Sequence, residues 1–177
     1  MSSTLSGHIA RLDDQRGAFV EALDALPPRL RTLKPSPEAW SPVEIAEHVY
    51  RSERAVLRGL ERQLDPEGER RELGKPSRAK FLALMVALRS PKKFKVPEGV
   101  STTAPAGMTY EEIHEGWLSF PTQWEAILGS TPEDLLNVGL IRHPISGPMT
   151  LSQSAQFLAV HTARHFKQLE RTLKVLK

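Results

Sequence analysis

The sequence predicts an all-α protein, a four-helix up-and-down bundle whose helices are joined by long crossover segments. Three observations carry this. Apolar residues recur at alternating steps of three and four along four separate stretches, the period of a helix that buries one face. Three of those stretches open on a Ser/Thr-x-x-Glu/Gln capping box, the reciprocal pairing of side chain and backbone that starts a helix. No stretch announces a strand strongly by alternating apolar and polar residues. Bundles with one or two long connections satisfy such a pattern.

The first helix carries Leu5, Ile9, Leu12, Phe19, Leu23 and Leu26, with Arg16 at the one step where an apolar residue is missing. Pro27-Pro28 ends it, because proline lacks a backbone donor. The second opens at Ser41-Pro42-Val43-Glu44, with serine as cap and proline at the first helical position. Its apolar side includes Ile45, Val49, Val56, Leu60 and Leu64, and Asp65-Pro66-Glu67-Gly68 stops it. A shorter helix is expected from Ser77 to Arg89.

Ser90 to Gly107 then holds Pro91, Pro97, Pro105 and two glycines, and reads as a crossover that lets the bundle close, with a lid or binding loop as the second reading. The third helix starts at the box Thr109-Tyr110-Glu111-Glu112 and buries Tyr110, Ile113, Trp117, Phe120, Trp124 and Ile127, with a kink at Pro121. From Thr131 to Met149 one short helical turn and then irregular chain are expected. The last helix begins at Thr150-Leu151-Ser152-Gln153 and runs through Ala155, Leu158, His161, His165 and Leu169 to the C-terminus.

A chain of 177 residues suits a single domain over residues 1–177. No apolar run approaches the roughly 20 residues that span a bilayer, and Met1-Ser2-Ser3-Thr4-Leu5 lacks the basic start and apolar stretch of a secretory signal. A soluble, cytoplasmic protein is the expectation. Cysteine is absent, so no disulfide holds the fold and no protein thiol serves as nucleophile or ligand. The net charge of +3 is modest and its cations are interleaved with acids, which argues against a dedicated nucleic-acid surface. Lys92-Lys93-Phe94-Lys95, the densest basic cluster, reads as solvated loop.

The residues that carry chemistry are histidines. His161 and His165 stand four apart, on one face of the last helix, so both rings can reach one metal ion. Thr162 stands where a zinc protease needs its glutamate, which disfavours that class. His48, three residues after Ile45 and four before Ser52, lies close to the buried side of the second helix. Three such ligands leave a coordination position open for chemistry. The convergence requires the second and fourth helices to be neighbours, and spacing leaves that open. The competing reading of each ring is a hydrogen-bonded core histidine.

Trp40-Ser41-Pro42-Val43-Glu44-Ile45-Ala46-Glu47-His48 resembles the tryptophan-serine, helix-start and histidine signature of the DinB-like superfamily. His143-Pro144-Ile145-Ser146-Gly147, followed by His161, His165 and Gln168, resembles that family's second signature. The two fall in the expected order and separation, and the resemblance covers essentially the whole chain. It implies an up-and-down bundle holding a divalent metal ion, often nickel or zinc, through three histidines, here His48, His161 and His165. It also implies a homodimer, and a function among thiol-dependent S-transferases and isomerases that use mycothiol or bacillithiol, or among metal-dependent hydrolases. The expected function is therefore that of a divalent-metal-dependent enzyme on a small-molecule substrate, a thiol S-transferase or a hydrolase. The alternative is a non-catalytic stress-response or binding bundle whose metal site is structural or vacant.

Any thiol must come from a low-molecular-weight cosubstrate, since the chain has none. No general base stands out: Glu44, Glu47 and Glu53 share the helix of His48, and Glu44 belongs to the cap. His143 is expected to shape the turn into the last helix, and His8 and His114 to face solvent. Trp40 is expected to pack as a lid on the bundle end, and Gln168 to touch the site or to bond a neighbouring helix.

Overall fold

Each apolar stripe becomes the buried face of a helix. The computed structural model describes residues 3–69, 71–90 and 105–176. In chain order it contains α1 (Ser3–Asp24), α2 (Pro28–Arg31), α3 (Pro42–Leu64), α4 (Arg78–Arg89), α5 (Tyr110–Leu118), α6 (Phe120–Ser130), a 3-10 turn (Glu133–Leu135), β1 (Ile141–His143), β2 (Gly147–Met149) and α7 (Leu151–Leu176). The bundle consists of α1, α3, the α5–α6 pair and α7. α7 packs against α1, α3 and α4, while α3 also lies against α5 and α6. Leu12, Phe19 and Leu23 from α1 meet Ile45, Leu57 and Leu60 from α3 in a core completed by Ile113, Trp124, Leu158 and Leu169.

The helix starts obey the capping boxes. Ser41 Oγ accepts from the Glu44 N–H at 3.3 Å and Glu44 Oε2 accepts from the Ser41 N–H at 2.8 Å. Thr109 with Glu112 and Thr150 with Gln153 form the same reciprocal pairs. Ser77 caps α4 from its side chain. Each pair satisfies backbone donors that a helix start leaves without partners.

Arg16, the gap in the first stripe, is buried and ion-paired. Its guanidinium donates to Glu53 Oε1 at 2.6 Å across the α1–α3 interface and also to Asp13. Trp124 Nε1 donates to the same Glu53 oxygen at 2.9 Å. A charge in the core persists only when it is paired and hydrogen-bonded in this way.

The chain departs from the expected layout in three places. The third helix is two, α5 and α6, joined at Ser119 (φ −84, ψ −17), with Pro121 in the first turn of the second. Proline is tolerated there because the first turn has no N–H partner to lose. Pro28 does more than stop α1, since it also begins the short α2. The irregular chain expected before α7 contains an antiparallel hairpin, Ile141 opposite Met149 and His143 opposite Gly147. Three residues per strand are too few for alternation to register in the sequence. Gly147 closes the hairpin at φ 75, a left-handed conformation that glycine adopts without a steric penalty.

The crossover expected over Ser90–Gly107, with its lysine cluster, lies for the most part outside the described residues. Among the described residues no helix is long and apolar enough to cross a membrane.

Candidate metal centre

His48, His161 and His165 converge. Each offers a ring nitrogen, and these nitrogens all lie within 4.8 Å of one another. The helix period places His161 and His165 one turn apart on α7, and α3 supplies His48 from the neighbouring helix, the adjacency that spacing left open. Nε2 of His48 stands 3.2 Å from Nε2 of His161. The His165 ring centroid is 4.5 Å from each of the other two. His48 and His161 are almost fully buried, whereas His165 is half-buried and marks the side open to solvent.

The surroundings of His161 and His165 favour neutral imidazoles, the form that ligates metal. Burial, then the neighbouring His165 and His48, hold His161 well below the usual imidazole range. Burial and the nearby His48 push His165 down to about 3, against a weaker opposing effect of its hydrogen bond to Gln168. Nδ1 of His165 lies 2.9 Å from Gln168 Oε1. A carbonyl oxygen only accepts, so Nδ1 carries the proton and the Nε2 lone pair is left for a ligand, the arrangement that an outer partner gives a metal-binding histidine.

The three residues fit a divalent cation. For metal–nitrogen bonds of about 2.1 Å, two ligands lie about 3.0 Å apart at a right angle and about 3.4 Å apart at the tetrahedral angle. The 3.2 Å between His48 and His161 falls between these values. Nδ1 of His161 is buried with no hydrogen-bond partner among the described residues, so the outer partner that Gln168 gives His165 has no counterpart there.

Aromatic rings wall the site. Trp40, just ahead of the α3 cap, lies 5.0 Å from His48 and stacks on His165 at 6.3 Å with planes 24° apart. It is therefore part of the site's wall as well as a lid on the bundle end. Phe157, one turn before His161, is 5.4 Å from it and carries His143 on its other side at 4.7 Å. His143 shapes the turn as its setting suggests: Nδ1 accepts from the N–H groups of Ile145 and Ser146 at 3.2 and 3.3 Å. Burial pushes its pKa down to about 4. His8 and His114 lie away from the triad, each partly covered rather than fully solvent-facing.

The three α3 glutamates nearest His48 have other duties. Glu44 belongs to the cap and pairs with Lys34 at 2.9 Å. Glu53 serves Arg16 and Trp124. Glu47, next to His48 in sequence, is 1% exposed and accepts the N–H groups of Ala106, Gly107 and Met108 at 2.6, 3.2 and 3.1 Å. It fixes the chain that leads into α5.

Fold and site together define a helical-bundle protein with a candidate three-histidine metal centre built across two facing helices. The family profile of the DinB superfamily matches residues 11–169. The chain therefore belongs to the DinB superfamily. Among solved structures it is similar to TT2238, described as a four-helix bundle protein, with a TM-score of 0.56 and 18% identity over 94% of this chain and 98% of that one. That likeness is one of fold. No curated protein matches the chain.

Proposed function

We propose that the protein is a divalent-metal-dependent S-transferase that joins a low-molecular-weight thiol to a small-molecule electrophile, with His48, His161 and His165 as the metal ligands and nickel or zinc as the ion. The observation that supports this is the convergence of three imidazole nitrogens within 4.8 Å at a place only half closed to solvent. A divalent cation held by three neutral imidazoles supplies Lewis acidity, which lowers the pKa of a thiol or water that reaches it.

The chain's own residues favour a thiol over water. A thiol with a pKa of about 8.5 needs little help to ionise, whereas water at about 15.7 needs a large shift and gains from a base. Glu44, Glu47 and Glu53 are all engaged elsewhere, so none of the α3 glutamates near His48 serves as a base. Gln168 orients His165, and the Trp40 indole offers a flat apolar wall beside the half-open side for the body of a substrate. In the reaction the thiol proton passes to solvent, a carbon–sulfur bond forms, and the leaving group of the electrophile departs with its bonding pair.

The test begins with metal content by plasma mass spectrometry on protein purified without a histidine tag, beside a His161→Ala variant. Near-stoichiometric nickel or zinc that disappears in the variant is expected, followed by thiol consumption with a panel of electrophiles. Absence of bound metal even after reconstitution would overturn the metal-dependent reading. Metal without turnover of any common low-molecular-weight thiol would overturn the transferase, and turnover of ester or amide substrates instead would assign a hydrolase.

A further inference from the structure

α7 has a second functional face. Beside the stripe that carries His161, His165 and Gln168, the residues Val160, Ala163, Arg164, Lys167 and Arg171 line a cleft of about 290 Å³ between α7, α1 and the end of α4. Arg11 reaches it from α1 and Arg89 from α4. Five cations thus surround one concavity, and among the described residues no aspartate or glutamate contributes to its lining.

Elsewhere four described cations are matched by acids. Arg16 pairs with Asp13 and Glu53, Arg31 with Asp24 and Glu111, Lys34 with Glu44, and Arg51 with Glu47. Arg11, Arg89, Lys167 and Arg171 make no ion pair with any described residue. Clustered like charges repel one another and lower the stability of the fold unless an anion joins them.

The cleft is also built. Arg164 is half-buried, and its guanidinium donates to the carbonyl oxygens of Leu88 at 3.0 Å and Ser90 at 2.5 Å. That anchors one cation at the C-terminal end of α4, where a helix favours positive charge, and fixes the side of the cleft. The floor between the cations is apolar, from Leu88, Ala159 and Val160. His8, one turn before Arg11, shows the local potential: burial, then Arg11 and Arg89, lower its pKa.

We propose that this cleft binds an organic phosphate, the phosphoryl group held by Arg89, Lys167 and Arg171 and a small organic body lying on the apolar floor. Planar guanidinium groups match phosphoryl oxygens through paired N–H donors. The volume sits at the lower end of small-molecule sites. A duplex nucleic acid needs a broad surface with many spread phosphate contacts, and a cleft closed on three sides by helices does not supply one. The site lies on another face of α7 from the histidines and stands whether or not they hold a metal.

The test is calorimetric titration at low ionic strength with ribose 5-phosphate, pyrophosphate, citrate and a 20-base-pair DNA duplex. Each is run against the intact protein and against Arg89→Ala/Lys167→Ala. Both substituted residues are exposed and outside the triad. Saturable binding of ribose 5-phosphate and pyrophosphate, at least tenfold weaker in the variant at unchanged metal content, is expected. The melting temperature of the intact protein should rise with ribose 5-phosphate while that of the variant stays put. No saturable phosphate binding, or equal binding by the variant, overturns the site. Citrate binding as tight as the phosphates overturns the ligand class, and tighter binding by the duplex overturns the small-molecule assignment.

Discussion

Acidification of the metal-free protein tests the most unusual electrostatic feature of the triad. The His165 pKa is pushed from 6.5 down to about 3, first by burial and then by His48. The sign follows from proton counting. Above the unfolded pKa, both states hold the ring neutral and it contributes no pH dependence. As pH falls below that value the unfolded chain takes up a proton that the folded chain refuses, so stability drops until the folded pKa is reached. At pH 5 the unfolded ring is roughly one and a half units below its pKa, and at 1.36 kcal/mol per unit His165 alone removes about 2 kcal/mol. That is a large share of a typical folding free energy of about 5–15 kcal/mol. Urea unfolding in chelator at pH 7.5 and pH 5 measures the loss, with His165→Gln as the reference that cannot titrate. The variant should lose about 2 kcal/mol less than the intact protein over the same interval. Equal losses would mean that the folded protein accepts the proton at His165, and the account of a neutral His165 would fail.

Three further outcomes follow from contacts already described. Gln168→Leu removes the acceptor that orients His165 and should weaken nickel or zinc affinity about 10–100-fold with helical content unchanged, read by competition with a chromophoric chelator. Arg16→Met strands the buried Glu53 carboxylate and should cost about 3–5 kcal/mol in urea unfolding, most of it recovered in the double variant with Glu53→Leu. Gly116→Ala places a Cβ about 2.5 Å from the Tyr50 ring where α5 crosses α3, and an overpacking cost of about 1–3 kcal/mol is expected in thermal unfolding.

Much of the fold was legible because its signals are local. A capping box needs four consecutive residues, and all three boxes form both of their bonds. The stripe residues Leu12, Ile45, Ile113 and Leu158 are fully buried because a 3.6-residue period leaves one face for the core. What stayed hidden was either too short or too distant. The β1–β2 hairpin pairs three residues with three, below the length at which alternation separates from chance. Arg16 was visible as a gap in the first stripe, but its partner Glu53 lies 37 residues away on another helix, so only the packing of α1 on α3 identifies it.

The candidate site divides along the same line. His161 and His165 are tied by helix geometry within one element, so their shared face could be read directly. His48 could be placed near a buried side but not opposite the other two, because which helices of a bundle are neighbours is a tertiary fact. Glu47 makes the point most sharply. It adjoins His48 in the sequence, yet consecutive residues of a helix point about 100° apart, so adjacency in the chain disfavours a shared face. Its carboxylate instead meets three successive backbone N–H groups 59 to 61 residues further on. A buried carboxylate held in that way is committed to fixing the entry to α5, and the triad is left with imidazole as its charge-neutral ligand set. That neutrality would leave a bound divalent ion its full charge, which is the physical basis of the proposed activation of a nucleophile.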